Sequence, residues 1–188
     1  MLGGRHNFAG AAIALLVNAI VATASAANAA GPSAQEAQIM AAFLYNFTKF
    51  VEWPADRFSN AAEPIVLGVF GESFITEELA AVVDGRKVNG RRIVVRRVVT
   101  LAEVRQVHVV FVAATQESRF ATMRPAMLEA GVLTVGESAA FLDEGGAIRF
   151  VLDRERLRFE INMSAAQRAH LKISSQLQKL AAAIRKDH

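Results

Sequence analysis

Residues 64–73, with the sequence PIVLGVFGES, give the clearest indication of a fold in this chain. The uninterrupted apolar run from Ile65 to Phe70 has the length of one strand, and such runs are typical of strands buried on both faces of a parallel sheet. The tripeptide Gly71-Glu72-Ser73 predicts a turn, and Ser73 can cap a helix that extends to about Val83. This stretch therefore predicts one strand–turn–helix unit of an α/β protein.

Two more buried strands are predicted further along the chain. Val107–Ala113 is a second nearly continuous apolar strand, and a helix with a potential kink at Pro125 is predicted after it at Glu117–Glu129. Val132–Val135 is a third buried strand, and it ends in Gly136-Glu137-Ser138. Buried strands that alternate with helices indicate a mostly parallel sheet that is covered on both faces.

The segments before and within this core complete the predicted order of elements. Apolar residues spaced by three and four predict a first helix over Ala34–Val51, which Trp53-Pro54 ends. The dipeptides Asp84-Gly85 and Asn89-Gly90 predict a short ribbon that leads into a strand over Arg91–Val99.

The C-terminal part predicts a β-hairpin followed by a long helix. Residues 147–152 and 157–161 alternate between apolar and polar side chains, with Ile148, Phe150 and Leu152 on the inner face. The capping-box pattern Ser164-Ala165-Ala166-Gln167 predicts a final helix that carries Leu171, Ile173, Leu177, Leu180 and Ile184. The predicted fold is a single three-layer α/β domain with a mixed, mostly parallel sheet flanked by helices, a C-terminal β-hairpin and a long final helix.

Residues 1–29 are predicted to be a secretory signal peptide, and residues 30–188 the folded domain. Arg5 precedes an uncharged apolar run, and small residues at Ala24-Ser25-Ala26 and Ala27-Asn28-Ala29 are typical of cleavage after Ala26 or Ala29. The alternative is an uncleaved membrane anchor, but the run is short and rich in alanine for a permanent span. We therefore expect a periplasmic protein, in a compartment where nucleic acid and nucleotide cofactors are scarce.

Composition excludes several classes of function. The absence of cysteine excludes disulfides, thiolate nucleophiles and Cys-ligated metal centres. The 21 Lys and Arg nearly balance the 18 Asp and Glu, unlike the concentrated positive charge of nucleic-acid-binding domains. Phosphate-binding glycine motifs are absent, and His108, His170 and His188 lack metal-ligand spacing. We expect no cofactor, no metal and no nucleic-acid partner.

The two identical tripeptides Gly71-Glu72-Ser73 and Gly136-Glu137-Ser138 are the candidate ligand site. Each directly follows a predicted buried strand, so parallel strands would place both at one edge of the sheet, where ligand crevices form. Hydroxyls and free amides at helix starts suit an anion or a carboxylate. Two other interpretations remain open: each Ser is simply a helix cap, or one is a nucleophile, although the second Gly of a nucleophile elbow is missing.

Two further groups of residues could form surfaces for partners. The basic group Arg86, Lys87, Arg91, Arg92, Arg96 and Arg97 could bind DNA or anionic headgroups, or simply form a solvated edge strand that resists edge pairing. Aromatic residues around the end of the first helix could pack in the core or form a protein interface, in which Trp is enriched. The candidate interface residues are Phe50, Trp53 and Phe58.

Several motifs together resemble one bacterial family. They are Tyr45-Asn46-Phe47-Thr48-Lys49-Phe50-Val51-Glu52-Trp53-Pro54, Val132-Leu133-Thr134-Val135-Gly136-Glu137, Gly145-Gly146-Ala147-Ile148-Arg149-Phe150, Phe159-Glu160-Ile161-Asn162 and Leu171-Lys172-Ile173-Ser174-Ser175-Gln176-Leu177. In this order, from about Gln38 to Ala182, the chain resembles the YfiR family of periplasmic proteins.

The resemblance implies an α/β domain that is usually a homodimer and has no known enzymatic activity. Its best-known member represses a membrane-bound diguanylate cyclase through that enzyme's periplasmic domain, which lowers cyclic di-GMP and biofilm formation. That member is controlled by redox chemistry at cysteines, which this chain lacks.

Three functional hypotheses follow. The first is a periplasmic regulatory protein that holds an inner-membrane diguanylate cyclase or sensor kinase inactive. The second is a domain that binds or senses an unidentified small ligand in the crevice beside the two Gly-Glu-Ser turns. The third is an envelope hydrolase that uses Ser73 or Ser138, and we expect this protein not to be an enzyme.

Overall fold

The computed structural model describes residues 33–186. The predicted signal peptide with its cleavage positions, and His188, lie outside the described residues. The described strands are β1 Val51–Glu52, β2 Ile65–Phe70, β3 Lys87–Val88, β4 Arg91–Val98, β5 Val109–Val112, β6 Leu133–Gly136, β7 Ile148–Asp153, β8 Arg156–Asn162, β9 Lys172–Ile173 and β10 Ala183–Arg185. The described α-helices are α1 Ala34–Phe50, α2 Ile75–Val83, α3 Leu101–Val104, α4 Glu117–Glu129, α5 Met163–Arg168 and α6 Ser175–Leu180.

Eight of these strands form one mixed sheet in the order β10-β8-β7-β6-β5-β2-β4-β3. Neighbouring strands are parallel except in the β7–β8 hairpin and the β3–β4 ribbon. The short strands β1 and β9 form a separate antiparallel pair. The predicted α/β fold with a mostly parallel sheet is confirmed.

The sheet separates two hydrophobic clusters, and β2 contributes to both because successive side chains of a strand point to opposite faces. Ile65, Leu67 and Val69 pack in the cluster that includes buried residues of α1 and α2. Val66 and Phe70 pack in the cluster that includes buried residues of α3 and α4. All six residues of β2 are buried, which confirms the central strand and places helices on both faces of the sheet.

Helix α1 is held on the sheet by aromatic contacts. Phe47 is fully buried, and its ring centroid lies 5.1 Å from that of Phe159 on β8 and 6.0 Å from that of Phe150 on β7. Ser33 begins the helix, since its hydroxyl accepts the Glu36 amide while the Glu36 carboxylate accepts the Ser33 amide. The observed helix ends at Phe50, one residue before the predicted end.

The predicted ribbon is also present. Asn89 and Gly90 have φ values of 51° and 81°, the left-handed conformation that a two-residue hairpin turn requires. They join β3 to β4, which begins at Arg91 as predicted and ends at Val98. Helix α4 matches its predicted bounds and continues through Pro125.

The prediction of one long C-terminal helix is wrong. Asn162, rather than Ser164, caps a short α5, and His170 then adopts a φ of 57° that turns the chain. Leu171 and Ile173 are buried two residues apart, which is the period of a strand, and Ile173 pairs with Val51 on β1. In the sequence, these two residues run directly into the apolar residues of α6, so the strand pattern and the helix pattern look continuous.

The C-terminal end of the chain shows a second departure from the prediction. Beyond α6, residues 183–185 form β10, which pairs in parallel with β8 and lies outside the hairpin in the sheet. Leu152 was predicted to face the core, but it lies near the hairpin turn and is 63% exposed. Within residues 33–186, no helix is both long and apolar enough to cross a membrane.

Candidate functional site

The two Gly-Glu-Ser turns lie at the same edge of the sheet, as the sequence predicts for parallel strands. Gly71-Glu72-Ser73 follows β2, and Glu137-Ser138 follows β6, with β5 between these strands. The chain passes from β2 through α2 to β4 on one side of β2, and then through α3 to β5 on the other side. Such a reversal of direction in strand order leaves a crevice at the carboxyl ends of the strands.

A cleft of about 480 Å³ lies at this position. Its lining joins the turn after β2 with the segment after β5 and with Glu137 after β6. Phe74 stands at the cleft with 71% of its surface exposed, which is high for a large apolar side chain. The lining residues are Glu72, Ser73, Phe74, Thr76, Glu77, Arg97, Ala113, Ala114, Thr115 and Glu137.

The glycines of the two tripeptides are closely packed against neighbouring side chains. Gly136 is buried, and a side chain there would overlap the ring of Phe141. Gly71 has a φ of 104°, and a Cβ at this position would meet Gln116 and Ala113. Gly71, Gly136 and Ser138 are not among the residues that line the cleft.

The serines differ in their capping roles. The Ser73 hydroxyl accepts the amide of Ile75, the first residue of α2, at 3.3 Å, although Phe74 is the residue that directly precedes the helix. Ser138 begins no helix; the chain after it forms a series of turns, in which the Phe141 amide donates to the Ser138 carbonyl. The prediction that Ser138 caps a helix is therefore wrong.

The backbone amides of the second turn are not free for an anionic ligand. The Glu117 Oε1 atom accepts the amide of Glu137 at 2.8 Å and that of Ser138 at 3.0 Å. Glu117 is buried, and its Oε2 atom has no hydrogen-bond partner among the described residues. An internal carboxylate thus occupies the position that the sequence suggested for an external anion, so the expectation of free amides at this turn is wrong.

The cleft is acidic rather than basic. Its lining contains the carboxyl groups of Glu72, Glu77 and Glu137 but only one guanidinium, that of Arg97, which forms an ion pair with Glu72. Burial, reinforced by the negative charge of Glu117, raises the pKa of Glu137 from its usual 4.5 to about 7. This arrangement favours neutral or cationic ligands over anions.

The aromatic candidates Phe50, Trp53 and Phe58 lie near the opposite, amino-terminal edge of the sheet. All three are half-buried and pack against the core. The indole of Trp53 donates to the carbonyl of His108 at 3.2 Å, and the ring of Phe58 stacks on the His108 imidazole at 4.5 Å. Trp53 and Phe58 therefore combine a structural role with a partly exposed surface.

The imidazole of His108 is a buried structural group. Its Nδ1 atom accepts the amide of Val66 at 3.1 Å, which joins the starts of β2 and β5. Burial, followed by the positive charge of Arg57, lowers the pKa of His108 to about 4. Among the described residues, no group of three His, Asp or Glu side chains could hold a metal ion.

Comparison with known proteins identifies the family. The YfiR/HmsC-like family model matches residues 37–182. The chain belongs to the YfiR/HmsC-like family. Members of this family are periplasmic regulators and not catalysts, and they act with membrane signalling proteins. No curated protein matches the chain.

One solved structure supports the fold of this YfiR/HmsC-like domain. A conserved domain protein from Vibrio cholerae is similar with a TM-score of 0.53 at 12% identity, over 79% of this chain. The match spans only 60% of the length of that protein. The ABC domain from Streptococcus pneumonia, in complex with L-Trp, gives a TM-score of 0.46 at 14% identity, over 64% of this chain and 55% of its own.

Sequence reasoning did not identify Glu117 as part of the site. The only signal was an acidic residue at the start of a helix that follows a buried strand. Its contact with Glu137 depends on β5 and β6 being neighbours, which no local pattern specifies.

Proposed function

We propose that this protein is a periplasmic regulator that binds the periplasmic domain of an inner-membrane diguanylate cyclase, or of a sensor kinase, and holds that enzyme inactive. Membership of the YfiR/HmsC-like family across residues 37–182 carries the proposal. Repression of a cyclase would lower cyclic di-GMP and biofilm formation. We further propose a homodimer, delivered to the periplasm by the signal peptide at residues 1–29.

Repression of this kind is preferential binding to one conformer of the enzyme. To move an equilibrium from 1:99 to 99:1, the regulator must bind the inactive conformer about 5.5 kcal/mol more tightly than the active one. The partner surface must therefore differ between the two conformers where the regulator contacts it.

The placement of Ser73, Ser138 and His108 supports a binding role over hydrolysis by a triad that contains His108. Ser73 and Ser138 follow the carboxyl ends of their strands, whereas His108 precedes β5 at the amino-terminal edge. A serine nucleophile of the Ser-His-Asp type needs a histidine within hydrogen-bond distance of its hydroxyl. His108 is also buried against Trp53 and Phe58, so it cannot serve either serine.

The test is tagged co-purification from solubilised envelopes, with cyclic di-GMP measured in the same cells. We expect recovery of an inner-membrane cyclase or kinase, and a rise in cyclic di-GMP when the gene is deleted. Phe50→Ala probes the aromatic surface without removing the Trp53 hydrogen bond, and Ile39→Ala, an exposed apolar residue of α1, is the matched control. Recovery of the protein alone after cross-linking, with unchanged cyclic di-GMP, would contradict the proposal.

A second candidate function is supported by the cleft at the carboxyl edge of the sheet. Its volume of about 480 Å³ lies within the range typical of small-molecule sites. We infer that a neutral or cationic small molecule bound there would tune the regulatory contact. Thermal-shift screening should find such a ligand, and Ser73→Ala should weaken the shift while Ser138→Ala, outside the lining, should not. Equal effects of the two variants would contradict this assignment.

A further inference from the structure

Strand β4 has a free edge over most of its length. The partner strand β3 covers only Arg91 and Arg92. Residues 93–98 pair with β2 on their other side, and within residues 33–186 their outward backbone groups have no hydrogen-bond partner. At about 3.3 Å per residue, this free edge is about 20 Å long, which accommodates a strand of six residues.

The side chains along this edge are basic at both ends and apolar in the middle. Arg92 at one end and Arg96 and Arg97 at the other are exposed, while Val94 and Val95 between them are half-buried. Residues 86–97 contain six Lys or Arg and no Asp or Glu. Arg97 pairs with Glu72, but neither Arg92 nor Arg96 forms an ion pair with any described residue.

The basic edge is continuous with the aromatic surface described above. The Arg91 guanidinium lies over the ring of Phe58, 3.8 Å from its centroid, and donates to the carbonyls of Asn60 and Glu63 at 2.7 and 2.8 Å. Phe58 in turn stacks on His108, which accepts the Trp53 indole through its carbonyl. A partner that contacts Phe58 would therefore lie next to the start of β4.

We propose that the free edge of β4 binds an extended acidic segment of a partner protein, which adds to the sheet as a further strand. Main-chain hydrogen bonds to residues 93–98 would supply affinity, and side-chain contacts would supply specificity. Acidic residues near the ends of the added strand would face Arg92 and Arg96, since opposite charges on neighbouring strands attract. This inference rests on the proposed function for the class of partner, and it specifies the chemistry of the segment that binds.

The same charges exclude a second copy of this chain from the edge. Two β4 edges side by side would bring Arg92, Arg96 and Arg97 of each copy close together, and like charges on neighbouring strands repel. Charged edges commonly prevent unwanted strand pairing in this way. The repulsion does not apply to an acidic strand, so the edge selects its partner by charge.

The test uses synthetic peptides and the folded wild-type protein, and needs no cyclase. The probe is the palindromic heptapeptide Glu-Glu-Val-Thr-Val-Glu-Glu, whose charges match the edge in either strand direction. One control replaces Thr with Pro, which keeps the charge but prevents strand addition. The other replaces every Glu with Lys. Amide hydrogen exchange followed by NMR reports whether the backbone of residues 93–98 becomes protected.

Charge-reversed variants test the side-chain part of the proposal. In Arg92→Glu/Arg96→Glu, both substituted side chains are exposed, so the fold should be retained and circular dichroism checks it. We expect this variant to bind the acidic peptide about tenfold or more weakly. The matched control is Arg156→Glu/Lys179→Glu, which reverses two exposed charges elsewhere and should bind as the wild type does.

The outcomes separate strand addition from other kinds of binding. Protection of amides within residues 93–98 by the acidic peptide alone would support the proposal. Equal binding of the Pro-containing peptide without amide protection would overturn it, as would the absence of binding at millimolar peptide. Binding to phosphatidylglycerol vesicles that Arg92→Glu/Arg96→Glu abolishes, with no amide protection by peptide, would overturn it in favour of a lipid surface. Because a repressor could use another surface, failure here leaves the co-purification test of the proposed function intact.

Discussion

Replacement of Glu137 by Gln should make the protein more stable at neutral and alkaline pH. Glu137 lies at the edge of the cleft, where burial and then the charge of Glu117 raise its pKa to about 7. In the unfolded chain the same carboxyl group returns to its usual value of 4.5. Between these two values the folded state holds a proton that the unfolded state has released, so rising pH favours unfolding.

The size of the effect follows from the two pKa values. Each pH unit between 4.5 and about 7 removes about 1.4 kcal/mol from the free energy of unfolding. Over this range the wild type therefore loses about 3 kcal/mol through Glu137, and no further loss occurs above it. Gln has no charge to release, so Glu137→Gln should gain up to about 3 kcal/mol on the wild type between pH 4.5 and pH 8.

The assay is urea denaturation at intervals between pH 4.5 and pH 8. The wild-type curve alone is not sufficient, because the lowered pKa of His108 makes stability rise with pH over part of the same range. The quantity to plot is the difference in free energy of unfolding between Glu137→Gln and wild type. Glu52→Gln, which removes one negative charge from an exposed side chain on β1, is the control for the change in net charge.

A flat difference for Glu137→Gln would refute the reasoning. A ¹³C NMR titration separates the two causes of the raised pKa. In Glu117→Gln the amide oxygen can still accept the two backbone amides, but the negative charge is gone. The pKa of Glu137 should then fall while staying above 4.5, because burial is the larger cause.

Three further predictions concern the core and the aromatic surface. As pH falls from 6.5 to about 4, the wild type should lose about 3 kcal/mol of its free energy of unfolding, because folded His108 resists protonation. His108→Asn keeps an acceptor for the Val66 amide and should abolish this loss. An unchanged loss in the variant would assign the loss to other groups. Gly146→Ala should lower the free energy of unfolding by about 1–3 kcal/mol, because the added Cβ overlaps the Phe141 ring. In a double-mutant cycle measured by denaturation, Phe141→Leu should recover part of this cost. Additive effects of the two substitutions would contradict the contact. Trp53→Phe should cost about 1 kcal/mol in thermal denaturation, since it removes the indole donor to His108 and keeps an aromatic ring, and a neutral result would mean that the hydrogen bond contributes nothing.

Local sequence patterns were sufficient wherever one element determines its own structure. The run Ile65–Phe70 predicted a strand buried on both faces, and all six residues are buried. The dipeptide Asn89-Gly90 predicted a hairpin turn, because few other residue pairs adopt positive φ readily, and the ribbon forms there. The pattern failed at Leu171 and Ile173, where two strand residues precede a helical stripe and look continuous with it.

The candidate site was only partly accessible to the same reasoning. The repeated Gly-Glu-Ser turns were correctly placed at one edge of the sheet, since parallel strands end on the same side. The sequence did not show that the Glu117 carboxylate accepts hydrogen bonds from the amides of the second turn. Residues 117 and 137 come into contact only when β5 and β6 pair. It therefore suggested an anion for a cleft whose lining is acidic.

The sequence by itself determined most strands, helices and turns, and the family, because those depend on residue spacing over short segments. The tertiary structure decided which strands are neighbours, and with them the properties of each surface. Strand order places β4 beside only two residues of β3, which leaves its basic edge open. Strand order also brings the carboxylates of Glu117 and Glu137 together, and a pKa depends on burial and neighbouring charges that exist only once the chain has folded.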